Sequence, residues 1–415
     1  MVYNVYMKRF TTTIIGGGAA GLFAAARLST SQDVLLLERG ERLGKKLSAT
    51  GNGQGNITNL SLSGDCYFSQ TSLCALDLQT LLDSYPASSI RAFFASLGVL
   101  TIADDRGRVY PASRQASSLT DALRFQLARL GTSVQTSARV TSIEKSGEEF
   151  IITAERNGEK EVYRSQNVVV CTGGKAAKNF GTDGSAYALV QGLGHSVTAL
   201  YPSLVQLKTD TAYIKALKGI RAADIGVTAT WTERGEKKAQ SLRGDVIFTD
   251  YGVSGDAIFR ISAYLTHLLE QNGAVLSLDL LPTFTKEEVE HALIAKRKNY
   301  PDIPFGELLC GMVNNQIARA VARRVSSQSV EQLVTLVKAF TLPVLGSLGF
   351  DYAQVTKGGV PLCELDENLQ SKKVKGLYLA GEILDIDGAC GGYNLHLAFA
   401  TANLVCDALE NKSKK

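Results

Sequence analysis

A chain of 415 residues with 45% hydrophobic content can bury a large core, enough for two or three domains. Its 44 basic and 40 acidic residues are interspersed and leave a net charge of only +4, so no concentrated electrostatic footprint for nucleic acid stands out. Seven scattered cysteines, Cys66, Cys74, Cys171, Cys310, Cys363, Cys390 and Cys406, form no CxxC pair and no Cys/His cluster at metal-ligand spacing, so neither a disulfide framework nor a metal centre is expected.

Free thiols without a signal peptide predict a cytoplasmic protein. No apolar run approaches the roughly 18 residues of a membrane span. Met7, ahead of Lys8 and Arg9, is the expected true start, and Lys412, Lys414 and Lys415 read as a solvated tail.

Thr11 to Ile15 predicts a strand, followed at once by Gly16-Gly17-Gly18-Ala19-Ala20-Gly21 and an Ala/Leu-rich helix to about Leu28. In this GxGxxG turn Gly16 permits the tight bend, Gly18 lets backbone approach a pyrophosphate, and Gly21 lets helix pack on strand. The amides of Ala19 and Ala20 open the helix toward the phosphates. Asp33 to Leu37 predicts the second strand, and Glu38 stands about 20 residues beyond the glycines, where a carboxylate accepts ribose hydroxyls and argues against a 2′-phosphate. Arg39 follows it as a further candidate contact.

Residues 44–59, GKKLSATGNGQGNITN, are too rich in Gly and Asn for a helix or a central strand. They predict a functional loop in which Thr50, Gly51, Asn52 and Gly53 admit a flat ring, while Lys45 or Lys46 balances phosphate or reduced-flavin charge. This segment resembles the signature of the aminoacetone-oxidase and bile-acid-inducible flavoprotein family of NAD(P)/FAD-dependent oxidoreductases, whose members usually read close to GKKLLATGNGRCNLTN. Gln54 and Gly55 depart from the usual Arg and Cys, so no role of those two residues carries over.

From Ala138 to Arg164 alternating runs separated by Gly147 and Asn157-Gly158 predict a β-meander. In FAD-binding folds the strand leading into such a meander offers its backbone to adenine, which nominates Val140. Val168 to Cys171 predicts a buried strand running into Thr172-Gly173-Gly174, a turn that closes on the dinucleotide. Cys171 itself reads as a small core residue.

After His195 the texture changes. Strand-like runs at Ser203–Leu207, Ile225–Thr232 and Val246–Thr249, with a hairpin near Arg234-Gly235, precede a more helical stretch from Lys286 to Phe340 interrupted at Pro301 and Pro304. Residues 248–255, FTDYGVSG, are similar to the family's FTHxGxSGP element, with Asp250 in place of the usual His. No second GxGxxG follows a strand, so a separate nicotinamide domain is not expected. NADH or NADPH would dock transiently at the flavin.

Gly376 to Glu382, GLYLAGE, predicts a central strand ending in a glycine-acid step. In two-part FAD sites Gly381 sets an amide on the pyrophosphate and Glu382 a carboxylate near the ribityl hydroxyls. Cys390-Gly391-Gly392-Tyr393-Asn394 then opens an apolar helix whose N-terminus stabilises negative charge on the pyrimidine edge of reduced flavin. GLYLAGEILDIDGACGGYN is the strongest match to the family.

The expected architecture is α/β: a two-part Rossmann-like FAD-binding domain with a β-meander, over 1–195 and 351–415, and an inserted mixed β-barrel-like and helical domain over 196–350. Three proton-handling candidates stand near the ring, Tyr393, His396 and Lys357, and none is singled out. The resemblance implies either reduction of a carbon–carbon double bond conjugated to a carbonyl, on a steroid-like small molecule, or oxidation of a small amine by oxygen. A third class, a flavin-loaded RNA-binding or regulatory protein, requires a basic stripe. The densest basic cluster, Arg319, Arg323 and Arg324, reads equally as a solvated helix face, so no nucleic-acid partner is expected. The oligomeric state is not legible.

Overall fold

The structure, a computed structural model, describes residues 8–71, 77–269 and 273–413. Met7, Cys74, Lys414 and Lys415 lie outside the described residues. The chain divides into two compact units, Met1–Tyr201 with Val355–Lys415, and Pro202–Gln354.

The first unit is built on a seven-stranded sheet. Strand β1 (Lys8–Ile15) leads into helix α1 (Ala19–Leu28) and β2 (Val34–Leu37); helix α2 (Ala116–Leu130) precedes β3 (Ser133–Gln135), β4 (Ala138–Ser146), β5 (Glu149–Arg156) and β6 (Glu159–Val170). After the second unit the chain returns with β7 (Leu377–Leu379) and helix α3 (Tyr393–Ser413). The parallel part runs β3-β2-β1-β6-β7, the crossing order of a dinucleotide-binding half. Its short central strands are apolar throughout, Val34–Leu37 and Leu377–Leu379 being buried at every position. That is the pattern required when helices cover both faces of a sheet.

The expected meander and the expected strand after it are one feature. β6 is a single twelve-residue strand: β1 runs along one edge from Tyr163 to Val170, while the other edge pairs with β5 up to Ser165 and with β7 from Val168 to Val170. The sequence broke there only in hydropathy, from EKEVYR to VVV, because the first half has one solvated face and the second has none.

Helices α1 and α3 pack together although they stand at opposite ends of the chain. The Phe23 ring lies 5.2 Å from Phe399, and Phe94 closes the same cluster at 5.3 Å from Phe399. Above it the Arg27 guanidinium reaches Asn403 Oδ1 at 2.6 Å, Glu410 at 3.0 Å and Asp407. Cys171 is buried beneath the turn, and burial pushes its thiol up to about 12, consistent with a core role.

The second unit contains a closed six-stranded antiparallel barrel, ordered Leu207–Thr209, Gly252–Ser254, Glu236–Phe248, Arg221–Glu233, Ala274–Asp279 and Phe340–Ser347. The two long strands meet in a hairpin at Arg234-Gly235, both with positive φ. Helices Lys286–Asn299, Asn315–Ala322 and Val330–Lys338 occupy the stretch between the last two strands. Those two strands, 274–279 and 340–347, are needed for closure and had no counterpart in the sequence reading. Phe340 begins a strand rather than ending a helix.

Candidate functional site

The carboxyl ends of β2, β1, β6 and β7 stand side by side, and the turns that leave them converge. Gly16 N–H donates to the Leu37 carbonyl at 2.8 Å, Cys171 N–H to Ile15 at 2.8 Å and Ala380 N–H to Val170 at 3.1 Å. Gly16 has φ +104, and a Cβ there would sit 2.5 Å from the Cys171 carbonyl oxygen; a Cβ on Gly21 would fall 1.8 Å from the Gly16 carbonyl oxygen. Only glycine fits either position. Gly18 is different: its φ of −82 suits any residue, and nothing lies within 4 Å of a Cβ built on it. Helix α1 starts there without a side-chain cap, so the first amides, those of Ala19 and Ala20 included, have no intrahelical partner.

Glu38 faces this turn. One carboxylate oxygen accepts the Gly17 N–H at 2.7 Å and the other the Gly40 N–H at 2.6 Å. The β4 strand begins alongside, Ala138 N–H donating to the Glu38 carbonyl at 2.9 Å, and Val140 stands two residues on, beside a bulge between Val140 and Ser142. Arg39 turns away: it donates to Gly181 and Ser185 and pairs with Asp183 at 3.0 Å. Burial opposes the charge on Asp183, yet Ser185 and Arg39 hold its carboxyl down to about 2.

The two halves of the predicted site meet at several points. Gly381, with φ +78, lets the chain pass so near α1 that a Cβ on it would stand 3.0 Å from Ala20 Cβ. Lys46 Nζ reaches Glu382 Oε2 at 2.7 Å, each side chain 21% exposed. The other Glu382 oxygen accepts the Thr356 N–H at 3.0 Å, and Thr356 Oγ1 accepts the Lys175 and Ala176 amides at 2.7 and 2.8 Å. Thr172 and Gly173 thus form the wall between the glycine turn and the Glu382 step. Lys45, by contrast, is exposed on the outer face of its loop.

The 50–59 loop packs against the α3 entrance. Thr50 Oγ1 donates back to the Leu47 carbonyl, and Gly51, Asn52 and Gly53 form an exposed corner with positive φ at all three. At Gly55 a Cβ would stand 2.8 Å from Ala116 Cα, which accounts for glycine at this departure from the family pattern. Asn59 Nδ2 donates to the Gly391 carbonyl at 2.9 Å, and a Cβ on Gly392 would meet the Thr58 carbonyl oxygen at 2.4 Å and Asn56 Oδ1 at 2.6 Å. Asn394 is committed to the loop before it, accepting Gly388 N–H at 2.8 Å and donating to the Gly388 carbonyl at 2.7 Å. Asn56, Thr58, Asn59 and Thr356 were not nominated from sequence. The only signal for the first three was their place in the glycine-rich run.

The three proton-handling candidates separate sharply. Tyr393 is partly exposed, its hydroxyl 3.3 Å from the Ser61 carbonyl and its ring edge-on to Tyr67. His396 is fully buried: Nδ1 meets Thr58 Oγ1 at 2.8 Å and Nε2 closes no hydrogen bond. Burial, only partly offset by the Tyr85 backbone, pulls the imidazole down to about 4, the setting of a core histidine. Lys357 ends a short strand, Val355–Lys357, and is buried: 5% exposed, it pairs with Asp387 at 3.0 Å beside the Phe68 ring.

Residues that hold a dinucleotide should leave polar atoms waiting for it, and two are present. Thr172 Oγ1 and Asn56 Oδ1 are buried without hydrogen-bond partners, the first beside Gly16 and the second beside Gly392. With the open space above Gly18 and the uncapped α1, the donor set fits a pyrophosphate-linked cofactor. No comparable anion site forms at the expected basic cluster: Arg319 pairs with Glu307 at 2.7 Å, and Arg324 donates to the Thr341 carbonyl at 2.9 Å and lies over the Tyr213 and Phe340 rings.

Comparison with known proteins agrees with this geometry. The family described as HI0933-like protein Rossmann domain matches residues 10–408. The chain is 34% identical over 407 residues, 94% of this chain and 97% of the relative, to a 3-dehydro-bile acid delta(4,6)-reductase of Clostridium scindens. It is 26% identical over 411 residues, 95% and 97% of the two chains, to a ribosomal RNA dihydrouridine synthase of Escherichia coli. Its fold is shared with a 3-ketosteroid-delta4-(5alpha)-dehydrogenase from Rhodococcus jostii at a TM-score of 0.53 and 17% identity, covering 99% of this chain and 98% of that one. The chain belongs to the HI0933-like Rossmann family and is a flavin-dependent oxidoreductase that uses FAD.

Proposed function

We propose that this member of the HI0933-like family reduces a carbon–carbon double bond conjugated to a carbonyl in a small, steroid-like molecule, with NADH or NADPH as a transiently docked electron donor. The observation that carries the reading is the end-to-end similarity to a bile acid reductase, joined to a site whose donors fit a dinucleotide. Uridine, the precursor of dihydrouridine, also has its double bond conjugated to a carbonyl, so the two kinds of relative share one chemistry on different substrates. A small molecule is favoured over RNA here because the arginines of the basic cluster are largely engaged within the protein. Oxidation of a small amine by oxygen, the other chemistry of the resembling family, has no observation of its own to favour it.

Bound FAD supplies hydride transfer at its N5. In this reading the amides of Gly18, Ala19, Ala20 and Gly21 hold the pyrophosphate, Glu38 the adenosine ribose, with Arg39 bracing the adjoining loop, and Val140 the adenine. Thr172, Gly173, Gly381 and Glu382 line the ribityl stretch, Lys46 neutralising Glu382 while Lys45 remains at the solvent face. Thr50, Gly51, Asn52 and Gly53 flank the ring, and the α3 entrance, Gly391, Gly392, Tyr393 and Asn394, faces its pyrimidine edge, where the helix dipole favours negative charge. Tyr393 Oη, already placed to donate to a carbonyl oxygen, is the group assigned to deliver the proton that completes saturation.

The test is an absorbance spectrum of the purified protein followed by anaerobic NADH or NADPH. Bleaching by either, and reoxidation by a steroid enone, is the expected result. A flavin unmoved by both nucleotides but reduced by amines would replace the reductase reading with the oxidase one. Reoxidation by ribosomal RNA alone would move the activity to the other kind of relative.

A further inference from the structure

Beside the 50–59 loop stands a cation with no counterion among the described residues. Arg114 is exposed, and its guanidinium carbon lies 4.4 Å from the centroid of the Tyr110 ring. Tyr110 is only 6% exposed, a firm platform. A second guanidinium, that of Arg108, faces the same ring at 6.0 Å but is neutralised by Asp104 at 2.7 Å. The Arg114 backbone has φ +54, a left-handed conformation that a long side chain adopts at a cost and that tends to persist at ligand clamps.

The surroundings tie this residue to both loops at the ring end of the proposed site. Two residues on, Ala116 N–H donates to the Gly53 carbonyl at 2.8 Å, and Ala116 Cα is the atom that Gly55 makes room for. The strand that carries Tyr110, Arg108–Pro111, pairs with Thr58–Asn59, and Asn59 holds the Gly391 carbonyl. Arg114 therefore stands one strand from the α3 entrance, beside an exposed corner where position 54 is the uncharged Gln54. A guanidinium resting over an aromatic ring keeps N–H donors for a ligand, and a planar oxyanion can accept two of them at once.

We propose that Arg114 binds an oxyanion of a molecule that reacts with the flavin, either a substrate carboxylate or a phosphate of the nicotinamide donor. This rests on the cofactor reading above, since the pyrophosphate of FAD is assigned to the α1 end and leaves the anion at Arg114 to another molecule. The experiment uses the flavin-loaded protein and titrates its absorbance with 5β-cholanate, with cholanate methyl ester and with NADP+, in wild type, Arg114→Gly and Arg114→Lys. Glycine accepts the left-handed backbone, so folding and flavin content are preserved, and lysine keeps the charge without the fork.

The expected result is binding about 10- to 100-fold weaker in Arg114→Gly for one of the two anions, an intermediate loss in Arg114→Lys, and an unchanged methyl ester. Loss confined to cholanate identifies a substrate carboxylate; loss confined to NADP+ identifies the donor phosphate. Equal weakening of acid and ester, unchanged binding of all three ligands, or wild type that binds neither anion would overturn the inference. A protein that fails to reduce enones yet discriminates cholanate through Arg114 would keep the site and remove only the reductase reading.

Discussion

Alanine at Gly18 separates cofactor binding from folding. The backbone there has φ −82 and ψ −161, ordinary for alanine, and the added methyl meets nothing within 4 Å. The folding cost is then limited to the weaker helix-capping preference of alanine, about 1 kcal/mol or less, a shift in Tm of about 2–4 °C. Bound FAD would lose more. The methyl occupies the space assigned to the pyrophosphate and displaces it from charge-assisted amide hydrogen bonds of about 1.5–3 kcal/mol each, which predicts a Kd raised about 10- to 100-fold for each such bond broken. Circular-dichroism melts of the apoprotein and fluorescence titration with FAD measure the two effects separately. Gly18→Ala protein that melts normally and binds FAD as tightly as wild type would refute the placement of the phosphates. Gly21→Ala is the control, because its methyl would fall 1.8 Å from the Gly16 oxygen, and it is expected to lose the fold itself.

Lys46→Met and Glu382→Gln should each weaken FAD, and the double variant should be no worse than the poorer single one, a coupling of about 1–2 kcal/mol by double-mutant cycle; simple additivity would show that the pair does not act as one unit. Replacing His396 by Leu removes a buried, unsatisfied Nε2 and is expected to leave the pH profile of flavin reduction unchanged above about pH 5, because the imidazole is neutral there; a lost titration step would return His396 to the chemistry. Acid stability should track a second histidine. His195 Nδ1 meets Glu364 Oε2 at 2.6 Å and Nε2 meets Ser371 Oγ at 2.8 Å, burial holding His195 below its ordinary value. Burial opposes the charge on Glu364, yet Lys373, Ser196 and His195 hold its carboxyl down to about 2. The unfolded chain therefore takes up a proton at His195 as pH falls below about 6.5 and at Glu364 below about 4.5, before the folded one does. Stability should be complete above neutrality and fall in two stages below it. His195→Gln should flatten the upper stage of a Tm-against-pH curve, and an unaltered curve would sink the assignment.

The elements that carry the proposed cofactor half-sites were legible because close backbone approach demands glycine and a strand buried on both faces demands unbroken apolar runs; both leave marks in a single sequence. GLYLAGE and the GxGxxG turn therefore located β7, β1 and α1 within a few residues. What escaped was set by partners far along the chain. Nothing in the sequence shows that Lys46 faces Glu382, that Arg39 is spent on Asp183, or that Lys357 is buried against Asp387. Ser371, His195 and Glu364 lie in the geometry of a nucleophilic relay, yet Ser371 Oγ is nearly buried and accepts the Lys373 and Val374 amides, so it caps a turn and attacks nothing. The barrel was half visible because its long hairpin alternates clearly, whereas Ala274–Asp279 and Phe340–Ser347 were masked by the helical stretch between them.

The packing of α1 against α3 has a consequence for how the chain is made. Phe23 meets Phe93 of the helix Ala87–Ser96 at 4.1 Å, but Phe399 and the polar and charged partners of Arg27 come only with α3, 376 residues on for the Arg27–Asn403 pair. Until α3 is added that part of the α1 surface lacks its cover, and pairings of such long sequence separation form slowly. The glycine turn at its start is shaped early, but Gly381, Glu382 and the α3 entrance follow far later in the chain, so the proposed cofactor seat is completed only after they are added. Until that pairing forms the chain is exposed to aggregation, and flavin present when it forms would favour the assembled state by binding it alone.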